Sequence, residues 1–246
     1  MRNVKMVVAY DGIRYHGFQA QNRTGLKTVQ GELEQALETL TGEEISIIGS
    51  GRTDAGVHAW GQVVNFRSGT RIPEEKVPFA LNSILPRDIT VREAEDVPED
   101  FHARYSAKKK TYCYTVYNDR HMSPFWRQYA WHVPVGLDAG NMRAAAAEFI
   151  GEHDFTAFCA NNTEDGNYVR RIYAFTVETQ GPLVRFTVTG SGFLWNMVRI
   201  MTGTLLEVGK GKRSPEDITA LLLAKERRRA GMTLPPQGLC LQEVIY

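Results

Sequence analysis

The chain is poor in cysteine, contains no long apolar run and is almost electrically neutral, and each of these shortages removes a class of protein. Only three cysteines occur, Cys113, Cys159 and Cys240. They stand far apart, no two have metal-ligand or redox spacing, and an odd number argues against a disulfide framework. The six histidines are scattered, with no His-Glu-x-x-His pair of the zinc-protease kind. No stretch reaches the roughly 18 apolar residues that a membrane-spanning helix needs. The opening residues lack the apolar core of a signal peptide, so the expected location is cytoplasmic. Low-complexity tracts and disordered linkers are missing as well.

A net charge of +1, from 29 basic and 28 acidic side chains, does not announce a nucleic-acid binder. The distribution says more. Arg104, Lys108, Lys109 and Lys110 form one cluster, Lys210, Lys212 and Arg213 a second, and Arg227, Arg228 and Arg229 a third. Acids between Glu93 and Asp100 offset part of this. Phosphate binding needs one basic face, not a basic chain, although taken alone the clusters read first as solvated patches. With 43% hydrophobic and 23% charged residues, the 246-residue chain has material for one large core or two small ones.

Hydrophobic periodicity orders the elements. Residues 5–10 read as a strand. Residues 12–25 are polar and glycine-punctuated, hence a loop. Val29, Leu33, Ala36, Leu37 and Leu40 share one helical face, closed by Gly42. Strands are expected at 45–48 and 59–66 around a glycine-rich loop, then a helix from Pro73 to near Leu85 and a short strand at 89–91. The second half repeats this loosely. It has a strand at 112–117, a helix capped by Asp138 and running to Phe149, and strands at 172–178 and 184–189 joined at Gln180-Gly181-Pro182. A helix at 193–208 follows, then one opened by Ser214-Pro215, and a closing strand at 239–245. The pattern is α+β: two related β-α-β-β-α halves, 1–105 and 106–246, whose sheets are expected to join into a central mixed, mainly antiparallel sheet flanked by helices.

Three segments carry candidate chemistry. In Gly49-Ser50-Gly51-Arg52-Thr53-Asp54-Ala55-Gly56 the glycines allow tight turns and close approach to a ligand. If the backbone is extended there, Arg52 and Asp54 point the same way, so a phosphate near one sits beside a reactive group near the other. The competing reading is a turn that Asp54 merely caps. No Gly-Lys-Ser/Thr ends the loop, so it is not a P-loop, and it leads into a strand, unlike a Rossmann fingerprint. Second, Arg199 lies in an otherwise apolar helical run, Phe193-Leu194-Trp195-Asn196-Met197-Val198-Arg199. A guanidinium keeps its charge, so it needs an anion or a path to water. Asp54 is the expected anion, within ion-pair distance, since a nearby cation keeps a buried carboxylate ionised; snorkelling to the surface is the alternative. Third, Lys108-Lys109-Lys110 directly precedes Tyr112, Tyr114 and Tyr117, which suits phosphate contact beside base stacking. Tyr114 and Tyr117 are expected in the core, and Tyr112 is the functional candidate.

Together these segments resemble the bacterial tRNA pseudouridine synthase A family over nearly the whole chain. The resemblance is carried by Tyr10-Asp11-Gly12, Tyr15-His16-Gly17-Phe18-Gln19 and Val29-Gln30-Gly31. It continues in Gly51-Arg52-Thr53-Asp54-Ala55-Gly56-Val57-His58-Ala59, Phe101-His102-Ala103-Arg104 and residues 112–118. Gly192-Phe193-Leu194-Trp195-Asn196-Met197-Val198-Arg199 and Pro235-Pro236-Gln237-Gly238-Leu239 complete it. It implies the pseudouridine synthase fold, a homodimer, and conversion of uridine to pseudouridine at positions 38, 39 and 40 of the tRNA anticodon stem-loop. Asp54 would be the catalytic aspartate and Arg199 the arginine paired with it. Arg52 would help displace the target nucleotide, Tyr112 would line the uracil pocket and Leu239 would form an apolar wall of it. Uracil leaves through N1 and returns through C5, so nothing is oxidised or imported, and neither cofactor nor metal is implied. Three routes stay open for Asp54: attack at ribose C1′, attack at uracil C6, or removal of the C2′ proton. Two other functions also stay open, an Asp-dependent nucleoside hydrolase and a non-catalytic RNA-binding module.

Overall fold

A computed structural model describes residues 1–20, 25–161 and 166–246. The expected loop at 12–25 therefore lies partly outside the described residues. The chain forms two units, Met1–Lys108 with Cys240–Tyr246, and Lys109–Leu239. The fold class is α+β, as expected, and among the described residues no helix is long and apolar enough to cross a membrane.

The first unit contains β1 (Arg2–Tyr10), α1 (Val29–Thr41), β2 (Ile48–Gly49), β3 (His58–Ser68), α2 (Val77–Asn82) and β4 (Ile89–Val97). Strand β1 pairs antiparallel with both β3 and β4. The β1 pattern turns Val4, Met6, Val8 and Tyr10 inward. Helix α1 starts at Thr28, whose hydroxyl accepts from Gly31 N, ends on Gly42, and buries Val29, Leu33, Ala36 and Leu37. Leu40, the fifth expected member of that face, is only half-buried.

Three local expectations change. The strand expected at 45–48 is reduced to Ile48–Gly49. Ile45 and Ile47 are buried, but the Ile47 amide donates to Glu34 Oε1 at 3.0 Å rather than to a neighbouring strand. The helix expected from Pro73 is split into a 3₁₀ turn, Glu74–Lys76, and α2. Pro78 has no amide proton to continue the ladder, so a new helix starts around it. The strand expected at 89–91 runs on to Val97.

The second unit contains β5 (Lys109–Tyr117), β6 (Trp131–His132), α3 (Ala139–Ala147), β7 (Gly151–Asp154), β8 (Val169–Gln180), β9 (Leu183–Gly190), α4 (Met197–Gly209) and α5 (Asp217–Ala224). Its strand order is β5-β9-β8-β7 with antiparallel neighbours, and β6 lies parallel to β5. Asp138 caps α3 through the Asn141 amide, as its position predicts. In register, Tyr112, Tyr114 and Val116 of β5 face Val188, Phe186 and Val184 of β9, and all six are buried. On the opposite face Thr111 meets Thr189, with hydroxyl oxygens 2.9 Å apart. Helix α5 begins at Asp217, later than Ser214-Pro215 suggests; Asp217 Oδ2 instead accepts from the Ser214 amide at 2.9 Å.

From Leu239 the chain forms its last strand, β10 (Leu239–Ile245). Residues 240–246 belong to the first unit, where Cys240 and Leu241 run parallel to His58 and Ala59 of β3. The division expected near residue 105 falls close to the break at Lys108, but it assigns this closing segment to the other half.

Candidate active site

The loop carrying Arg52 and Asp54 connects β2 to β3, and its backbone is fixed from below by buried polar side chains. Gln62 of β3 is fully buried. Its Nε2 donates to Gly51 O at 3.0 Å, and its Oε1 accepts from the fully buried Ser50 hydroxyl at 2.6 Å. The Ser50 amide donates to Val63 O at 2.8 Å. On the other side of Arg52, Tyr10 Oη lies 2.8 Å from Thr53 Oγ1. Burial pushes the Tyr10 hydroxyl well above the ordinary tyrosine range, with bonds to Thr53 and Gln62 opposing the rise. The residues flanking Arg52 are thus held by groups that cannot trade these bonds for water, because burial removes the water.

The loop is also clamped from the side. Thr53 O accepts from the Phe18 amide at 3.0 Å. Gly17 makes this approach possible: its φ is +94°, and a Cβ there would stand 2.8 Å from Thr53 O. Asp54 O then accepts from the Val57 amide at 3.1 Å, closing a turn with Gly56 at φ 79°. Below the turn, His58 Nδ1 accepts from the Gly12 amide at 3.2 Å. Within this frame Arg52 is exposed and Asp54 is half-buried. A carboxylate on a backbone pinned at both sides loses little further freedom when a substrate arrives, which is what a nucleophile or base requires.

The other sequence-predicted residues, Tyr112, Arg199 and Leu239, belong to the second unit. Tyr112 is buried at the start of β5, edge-on to Phe193 with ring centroids 5.2 Å apart. Tyr114 is a core residue, as expected; its hydroxyl donates to Pro235 O at 2.7 Å, while Tyr117 is half-buried. Burial raises the Tyr114 hydroxyl, and the charge of Arg199 opposes the rise. Arg199 is half-buried on α4. Its Nε donates to Leu234 O at 2.6 Å and its Nη1 to Asn196 Oδ1 at 2.5 Å. Leu239 is buried directly after Gly238, where a Cβ would stand 2.6 Å from Tyr114 Cζ. The tail 234–239 is therefore seated on both Arg199 and Tyr114.

The basic clusters are not equivalent. Arg213 bonds Glu207 and donates from Nη2 to Arg229 O at 2.6 Å, which joins the second cluster to the third. Arg227 is structural: it donates to Gly231 O and to Thr233 Oγ1, each at 2.9 Å, and burial lowers its pKa. Lys210, Lys212 and Arg229 are exposed. In the first cluster Lys109 Nζ lies over the Tyr173 ring at 4.7 Å. Among the described residues no group of three or more His, Cys, Asp and Glu could hold a metal ion.

Comparison with known proteins adds to this geometry. A family model described as tRNA pseudouridine synthase matches residues 6–106 and 145–246. Proteins named tRNA pseudouridine synthase A are similar over their whole length. That of Bacillus pumilus is 51% identical over 245 residues, covering 99% of this chain and 98% of its own. That of Moorella thermoacetica is 49% identical over 243 residues, 99% of each chain. That of Thermoanaerobacter sp. strain X514 is 47% identical over 246 residues, the whole of both. A solved chain of a Cbf5-Nop10-Gar1 complex aligns with 96% of this chain and 57% of its own at a TM-score of 0.38 and 13% identity. The matched family segments contain the Asp54 loop, Gln62, Arg199 and Leu239, and the chain belongs to the tRNA pseudouridine synthase family.

Proposed function

We propose that the protein converts uridine to pseudouridine at positions 38, 39 and 40 of the tRNA anticodon stem-loop. Asp54 is the catalytic carboxylate and Arg199 the second catalytic residue. Arg52, Tyr112 and Leu239 contact the displaced nucleotide. The enzyme acts as a homodimer in the cytoplasm. The observation that carries the reading is the loop holding Asp54: a half-buried carboxylate beside an exposed arginine, on a backbone tied down at Gly51 and Thr53. The family and the names of the full-length relatives support the same chemistry.

The target uridine must leave its stack before any carboxylate can reach it, at a cost of a few kcal/mol. Arg52 has the exposure to take the vacated place and meet phosphate. Tyr112 offers an aromatic edge for the uracil beside Phe193. Asp54 then acts on the flipped nucleotide, the bond from N1 to C1′ breaks, a bond from C5 to C1′ forms, the C5 proton is lost to solvent and N1 takes up a proton in its place.

The test uses tRNA tritiated at uracil C5. Wild-type protein releases tritium to water while the base stays on the RNA. A hydrolase frees uracil instead, and a non-catalytic binder releases nothing. Asp54→Asn abolishes release and still binds tRNA in a filter assay, whereas Arg199→Lys lowers turnover because lysine lacks the planar fork. Substantial turnover by Asp54→Asn contradicts the assignment.

A further inference from the structure

We propose that the turn at His102–Tyr105 in the first unit is a stacking platform for an unpaired base of the RNA substrate, other than the target uridine. Arg104 and Lys108 meet the adjoining phosphates. The inference rests on the reading of the chain as an RNA-modifying enzyme and adds a contact outside the reacting nucleotide.

Tyr105 is 77% exposed. An exposed tyrosine alone means little. What sets this one apart is how firmly its backbone is held. The His102 amide donates to Ser106 Oγ at 3.2 Å, and the Ser106 amide returns to His102 O at 2.9 Å. His102 Nδ1 accepts from the Arg104 and Tyr105 amides at 3.2 and 3.3 Å. Ala103, between them, is fully buried; its amide donates to Asn65 Oδ1 at 2.9 Å, and its carbonyl accepts from Tyr246 Oη at 2.7 Å. This much order is not needed to keep a tyrosine in water. It lowers the entropy cost of presenting an aromatic face to a ligand.

The exposed surface has the composition of a base-stacking site. The His102 ring packs against the Tyr105 ring, centroids 4.3 Å apart and planes 31° apart, which backs the tyrosine with a second ring. The Arg104 guanidinium lies 5.7 Å from the Tyr105 centroid. Lys108 is exposed nearby in sequence, but so are Glu99 and Asp100. The field is therefore mixed, and stacking rather than net charge must carry the contact. Stacking tolerates any base, because every base has a π-face. The platform is anchored within its unit at two points, β3 through Asn65 and the closing strand through Tyr246, both of which hold Ala103.

Binding of an unmodified tRNA transcript, measured by fluorescence anisotropy, tests this. Tyr105→Ala weakens binding about tenfold, and Tyr105→Trp restores it. Arg104→Gln reduces the salt dependence of binding. Phe79→Ala, an equally exposed aromatic elsewhere in the unit, has no effect. Unchanged melting temperatures show that each variant folds. Binding by Tyr105→Ala within twofold of wild type overturns the proposal. Equal losses in the Ala and Trp variants overturn stacking, and a changed sedimentation coefficient with intact RNA binding assigns the surface to a protein partner instead. Tritium release by wild type is scored separately: its absence with RNA binding intact overturns the assigned reaction and leaves the Tyr105 comparison valid.

Discussion

At the scale of single residues, Asp54 and Gln62 show opposite degrees of legibility. Asp54 stands out in the sequence because acid, base and glycine crowd one short loop. Gln62 does not, because a polar residue in the strand segment Gly61-Gln62-Val63-Val64 reads as solvent-facing by simple alternation. The structure buries it completely and gives it the Ser50 hydroxyl and the Gly51 carbonyl as partners. Tyr105 is hard to read for a related reason: the turn that carries it is anchored through Ala103 to Asn65 and Tyr246, which are remote in sequence. Gln62→Leu should leave both loop partners unsatisfied and cost about 2–4 kcal/mol in a denaturant titration. Turnover should fall about 10- to 100-fold with a smaller change in KM, since the loop loses its set position. Gln62→Glu retains the acceptor for Ser50 but donates to Gly51 O only when protonated, so its activity should rise as pH is lowered, relative to wild type. A flat ratio across pH would mean that the Gly51 contact does not position the loop.

At the scale of elements, strands with clear β-branched and aromatic content were readable, and boundaries set by backbone geometry were not. The closing strand falls where its composition places it. The helix expected from Phe193 begins only at Met197, because Asn196 adopts φ 60°, a left-handed conformation that no hydrophobic pattern reveals. The apolar run simply continues across this break, with Trp195 turned out to solvent. Asn196 has two roles, since asparagine tolerates the left-handed region and its Oδ1 accepts from Arg199. Asn196→Gly separates them: glycine keeps the conformation and removes the acceptor. The expected outcome is a melting temperature within a few degrees of wild type together with a marked fall in turnover. Unchanged turnover would show that the Asn196 contact does not set the Arg199 side chain.

At the scale of the molecule, the chain leaves the first unit at Lys108 and returns to it at Cys240. Composition cannot show this return, because a short β-branched strand carries no mark of its pairing partner, and nearness in sequence favours the second half. The physical consequence is that the first unit is closed only by a segment that follows the whole second unit in the chain. Residues 240–246 supply the pairing with β3, the buried Leu241 and Val244, the Ile245 carbonyl that accepts from Lys108 N at 2.8 Å, and the Tyr246 bond to Ala103. Burial of the two aliphatic side chains alone is worth about 3–6 kcal/mol. That approaches the whole stability of an ordinary domain, about 5–15 kcal/mol. Truncation after Leu239 removes none of Arg52, Asp54, Tyr112, Arg199 or Leu239, yet it should abolish activity. Amide exchange should locate the damage: protection lost in β1 and β3, and kept in β8 and β9, whose pairing lies wholly within the second unit. Protection retained in β1 and β3 would mean that the first unit is complete without its returning strand.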